Sequence, residues 1–382
     1  MEVSICYICA FMLLGAIFFR RGRIRLMPDG GSWLYLLYFL SCIVSMVNAD
    51  NYLFSFFELW KMAMMYGVYL AIWNYLDYTH DFTTVLYSLG VTVVLGFFPV
   101  VTQHYSGIMQ VYGIFPHQNS AAVFMVLCTP LFFSRFFNST DMKKDIFIIP
   151  SLFCGSISLI LTYSRGGMFC LPLAISVTIL VSLIFQFSAT KLIYCFVFIA
   201  AAILIGALFV PRIVQRFETA PKESANTRII LAGSAWNMMK DKFLGVGINN
   251  WGIKINHPYN YKPKGSKDWG YGDKNFKRPL VETVYLLVGA ECGFLGLLYF
   301  ICWLWYYLIV GVLMLKPLRN TSYFYLPAGI VGGLVGIYLQ SALEWVLKQQ
   351  INYLELMIFF AIIGFLHVKI KENKKQRSTS VV

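Results

Sequence analysis

The apolar stretch from Ile146 to Phe187 holds a single charged residue, Arg165. About 20 apolar residues cross a bilayer, so this stretch is long enough for two crossings. An arginine at bilayer depth costs at least about 2.5 kcal/mol, and a charge in such a place marks a site or a membrane boundary. The spacing predicts two helices joined by a tight turn, with Arg165 in Ser164-Arg165-Gly166-Gly167 at the turn. The two glycines are expected to permit the turn, because glycine tolerates backbone angles that other residues resist. Arg165 then stands at one membrane face as a fixed positive charge suited to an anionic ligand.

The rest of the chain has the same character. Of 382 residues 58% are hydrophobic and 13% charged, with mean hydropathy +0.66. So few charges exclude an ordinary soluble domain. Long unbroken apolar runs exclude a β-barrel, whose strands alternate. The expected fold class is an all-α polytopic membrane protein, a single membrane domain over 1–382. Spans are expected near 3–19, 33–48, 58–76, 83–102, 117–137, 146–163, 168–187, 192–210, 283–311, 323–343 and 351–368, about eleven transmembrane helices in all.

Short loops fix the orientation. Arg20, Arg21, Arg23, Arg25, Arg135, Lys143, Lys144, Lys191, Lys316 and Arg319 fall on one side, with a basic tail at 369–382. The positive-inside rule makes that side cytoplasmic, with the N-terminus and Arg165 outside. The first apolar run has its cations after it, the reverse of a cleavable signal peptide. The nine cysteines all lie in apolar segments and read as small buried hydrophobes, with neither a disulfide framework nor a metal site expected. The sequons at Asn138 and Asn320 fall in cytoplasmic loops and read as chance.

One segment breaks the apolar pattern. Residues 211–281 form a large polar extracytoplasmic loop in which thirteen cations against five anions leave +8, beside +13 for the whole chain. Loops of this length are uncommon unless functional. Either it is a solvated basic loop on anionic lipid headgroups, or it builds a site for an anionic substrate. A helix is expected near Asn226–Met239 and an irregular section from Lys254 to Arg278. No P-loop, Rossmann fingerprint, zinc motif or nucleophile elbow occurs, so no cofactor and no metal are expected. An extracytoplasmic basic region gives no support for nucleic-acid binding.

Four features share the outer face: the Arg165 turn, Phe115-Pro116-His117-Gln118-Asn119 at the entry to a span, Arg228 to Trp251 in the loop, and Glu282-Thr283-Val284-Tyr285-Leu286 at the loop exit. The second reads as a helix start capped by Asn or Ser. Glu291, deeper in the exit span, reads as an interior salt bridge or hydrogen bond. In this order the motifs resemble the O-antigen ligase and polymerase superfamily of bacterial envelope polysaccharide assembly. The likeness covers about residues 110 to 300: the Phe-Pro-His-Gln-Asn entry, the Ser-Arg-Gly-Gly turn, an Arg-led helix running into Leu244-Gly245-Val246-Gly247, and Tyr285-Leu286 followed by Glu291-Cys292-Gly293.

The resemblance implies a metal-independent glycosyltransferase of the bacterial cytoplasmic membrane. Its donor is a polyprenyl-diphosphate-linked glycan and its acceptor a glycan or lipid hydroxyl. It also implies that Arg165 and Arg228 hold the diphosphate; His117, Asn119, Tyr285 and His257 are the further candidates for binding the substrate. Such ligases usually carry His-Asn at the loop exit, and here Glu282-Thr283 stand there, so Glu282 becomes the candidate base. His257 is a second candidate base, reaching in from the loop. A transporter or flippase of lipid-linked sugars is the rival reading. It calls for internal symmetry and broken helices at mid-membrane. A structural scaffold is the third, and it leaves the basic loop unexplained.

Overall fold

The computed structural model describes residues 5–139, 148–198, 200, 222–256, 258–259, 261–263 and 280–379, and among these no residue is in a strand. The helices are α1 (Ile5–Arg21), α2 (Gly30–Ser45), α3 (Tyr52–Thr79), α4 (Phe82–Tyr105), α5 (Gln118–Phe137), α6 (Ile148–Thr162), α7 (Arg165–Phe185), α8 (Ala189–Phe198), α9 (Lys222–Asp241), α10 (Trp251–Lys254), α11 (Val284–Leu318), α12 (Tyr325–Gln340) and α13 (Gln350–Thr379). Helices lie at ten of the expected span positions, and the expected span at 192–210 falls mostly outside the described residues. Among the described residues six are long and apolar enough to cross a membrane: α2 with its 3-10 extension, α4, α5, α7, α11 and α13. The chain is therefore a multi-pass membrane protein. The described parts of α6, α8 and α12 are apolar but shorter, and α3 carries Glu58, Lys61 and Asp77.

The centre of the bundle is α5, whose most apolar stretch is 89% buried. It packs against α6, α7 and α12. Close approach explains the glycines of α12. A Cβ on Gly332 would meet the Ala174 carbonyl of α7 at 2.5 Å, and one on Gly333 would meet the Leu127 carbonyl of α5 at 2.7 Å. Small residues at such faces let membrane helices touch backbone to backbone. The contacts run antiparallel, Gly329 beside Leu131 and Gly336 beside Val126. So α12 ends where α5 and α7 begin, which gathers three helix termini at one end of the bundle.

The opposite end is tied by charge. Arg21 pairs with Asp77 at 2.7 Å, Lys369 with Asp77 at 2.8 Å and Arg25 with Glu372 at 2.9 Å. Lys191 donates to the Asn138 side chain at 2.6 Å, and Arg135 covers the Tyr325 ring. Arg21, Arg25, Arg135, Lys191 and Lys369 thus gather at the end remote from Arg165. All nine cysteines are free.

Two sequence motifs prove to be one joint. Helix α11 breaks at Gly293, whose φ of 72° lies in the left-handed region. The break releases the carbonyls of Ala290 and Glu291, and these accept the N–H groups of Val246 at 2.9 Å and Gly247 at 3.0 Å. A Cβ on Gly245 would lie 2.3 Å from the Glu291 carbonyl oxygen, and one on Gly293 would overlap the Phe243 carbonyl. Only glycine fits either side. The next residues dock on the α2–α3 connection: Ile248 donates to Ser45, and the Asn250 amide donates to Ser55.

The expected helix near Asn226–Met239 is α9. Its buried face, Leu231, Ala235 and Met238, packs on Leu287 and Ala290 of α11. The irregular section from Lys254 to Arg278 falls mostly outside the described residues.

Candidate active site

A cavity of about 930 Å³ opens where α5 and α7 begin. Pro116 to Asn119 come from the entry to α5, Tyr163 to Gly166 from the α6–α7 turn, and Thr227 and Arg228 from α9. Leu280 and Glu282 come from the loop exit, and Leu343 to Val346 with Gln349 from the α12–α13 connection. Five chain segments far apart in sequence therefore face one space.

The turn that carries Arg165 is built differently from its sequence expectation. The left-handed residue is Tyr163, with φ 48°, and neither Gly166 nor Gly167 has positive φ. Both glycines lie in the first turn of α7, where Ser164 caps the helix by accepting from Gly167 N–H at 3.4 Å. Gly167 is needed for space, since a Cβ there would stand 2.7 Å from that of Ala122 on α5. The glycines thus seat the helix start against α5, while Tyr163 reverses the chain. Arg165 is the first residue of α7, so its side chain and the positive end of the helix dipole stand at the same cavity wall.

His117 caps α5, its Nδ1 accepting from Asn119 N–H at 3.2 Å. A cap is present, supplied by His117 rather than by Asn or Ser. The α5 start is thus a second helix N-terminus facing the cavity, and its partial positive charge favours anions.

Arg228 makes a close charge pair with Glu282, and its outer nitrogen lies 3.8 Å from Glu344. Glu344 went unnoticed in the sequence, where it abuts an apolar span. Its side chain is 10% exposed. Burial pushes its carboxyl up to about 7, against the opposing pull of Arg228, and the nearby Glu282 charge adds to the rise. Topology carried a signal for it: the connection after the span ending near 343 faces the same side as Arg165. Gln349, in the same connection, is hydrogen-bonded to Ser120 of α5.

Of the site residues expected from sequence, Arg165, Arg228, Glu282, His117 and Asn119 all line the cavity. Tyr285 does not. Its hydroxyl donates to the Tyr338 carbonyl at 2.9 Å, and its ring packs on Phe300. His257 lies outside the described residues. Glu291 is paired with Lys348 at 2.7 Å, and Lys348 also lies 3.6 Å from Glu58, which holds Lys61 at 2.6 Å. That buried chain of charges lies behind the cavity and ties α3 and α11 to the α12–α13 connection. Among the described residues no cluster of metal-ligating side chains occurs.

No curated protein matches the chain. Residues 150–301 match the family model described as O-antigen ligase. The matched segment runs from α6 through the loop into α11 and includes Arg165, Arg228 and Glu282, so over this stretch the chain is similar to the O-antigen ligase family.

Proposed function

We propose that this protein transfers or polymerises a polyprenyl-diphosphate-linked glycan at the outer face of the bacterial cytoplasmic membrane. The donor diphosphate lies on Arg165 and Arg228, and the acceptor hydroxyl attacks the sugar carbon that carries it. The observation that carries this reading is the meeting of these two arginines in one cavity at the helix starts of α5 and α7. A departing diphosphate gathers negative charge, and guanidinium groups with helix N-termini stabilise it without a metal. Phe169 and Trp345 give the cavity apolar wall beside these charges. A carrier of lipid-linked sugars needs access from both ends of the bundle, whereas these charges gather at one.

Deletion of the gene, read by envelope polysaccharide gels, tests the reading and divides its two forms. Loss of long chains with intact lipid-linked polymer marks a ligase. A single repeat unit on the acceptor marks a polymerase. An unchanged pattern contradicts both.

A further inference from the structure

Resting on that reading, we propose that Glu344 is the general base of the transfer, and that Glu282 is a positioning residue that holds Arg228. The attack forms a bond between the acceptor oxygen and the anomeric carbon, and it breaks the bond from that carbon to the diphosphate. The electron pair leaves with the polyprenyl diphosphate. The acceptor proton must go to a nearby basic atom that the arginines have not already neutralised.

Three described side chains of the cavity could take it. His117 spends Nδ1 on the α5 cap. Glu282 is committed to Arg228 in a close ion pair. Glu344 stands 3.8 Å from the same guanidinium, too far for a hydrogen bond, with a carboxylate enclosed at the cavity wall. Asn119, at the start of α5, lines the same cavity. A carboxyl lifted to about 7 by burial works near its midpoint at neutral pH, where a base is most effective. Arg228 thus joins the two tasks: one carboxylate orients it and the other works beside it. After transfer the proton leaves Glu344 through the open side of the cavity.

The test is the pH dependence of transfer by the full chain in lipid nanodiscs, with lipid-linked glycan extracted from its native membranes as donor. Wild-type rate should fall as pH drops through about 7, when Glu344 takes a proton. Glu344→Gln should lose at least about 100-fold at every pH while still retaining polyprenyl diphosphate. Glu344→Asp should keep a small rate with a displaced acid limb. Glu282→Gln should raise KM, keep an acid limb, and move that limb toward lower pH, because the Glu282 charge no longer adds to the rise at Glu344. Wild-type rate in Glu344→Gln, or an unchanged acid limb in Glu344→Asp, overturns the assignment of the base alone. Failure of the wild type to transfer any native lipid-linked glycan overturns the enzymatic reading beneath it.

Discussion

The guanidinium of Arg228 stands between two carboxylates, paired with Glu282 and 3.8 Å from Glu344. The flat fork of arginine can meet a carboxylate on one edge and a phosphate on another, whereas a lysine ammonium is a point charge. Arg228→Lys should therefore keep the charge and lose the bridge. Initial transfer rates are expected to fall about 10- to 100-fold, and those of Arg228→Ala about 100- to 1,000-fold. Equal rates in the lysine variant and the wild type would show that charge alone suffices.

Burial of Glu344 has a consequence for stability. Its folded pKa of about 7 lies above the ordinary 4.5, so the folded protein holds a proton that the unfolded chain releases. Stability from this group is complete below about pH 4.5 and is lost as pH rises through about 7. Glu344→Gln removes that penalty, worth about 3 kcal/mol. Its Tm is expected to exceed that of the wild type at pH 8 and to match it near pH 4. A lower Tm at pH 8 would contradict the burial argument.

The joint between Leu244-Gly245-Val246-Gly247 and Gly293 leaves no room for a side chain. Gly245→Ala places a methyl group against the Glu291 carbonyl and imposes a left-handed φ on alanine. The expected result is a loss of more than about 2 kcal/mol, read as lower Tm, with transfer falling because α9 and Arg228 lose their seat. Wild-type Tm in this variant would show that the joint yields.

Lys348 neutralises Glu291, with Glu58 close by, inside the bundle. Lys348→Met leaves these carboxylates facing a buried thioether, and a broken buried pair costs about 3–5 kcal/mol. Combining it with Glu291→Gln should recover part of the loss in thermal melting. A double variant no more stable than the single one would show that Glu291 does not carry the cost.

Much of this arrangement is legible in the sequence. The helix positions follow from apolar run lengths. Arg165, Arg228 and Glu282 stand out because charged residues bracket apolar segments on one side of the expected topology. Glu344 is hidden because it stands at the end of an apolar run, and its chemistry comes from burial that no local pattern reports. Tyr163 carries no mark of its left-handed backbone, and two following glycines offer an easier account of the turn. Tyr285 shares the loop exit with Glu282, but the phase of α11 turns its ring toward Phe300 and its hydroxyl toward Tyr338. The glycines of the joint are visible, yet their partner lies nearly fifty residues away and only the fold pairs them.

Arg165 gives the most direct test of a diphosphate site. The measurement is transfer of native lipid-linked glycan by Arg165→Ala in nanodiscs, beside retention of polyprenyl diphosphate by the same preparation. Arg165→Ala should melt like the wild type, retain polyprenyl diphosphate weakly, and transfer at least about 100-fold more slowly. Wild-type retention and wild-type rate in this variant would contradict the account.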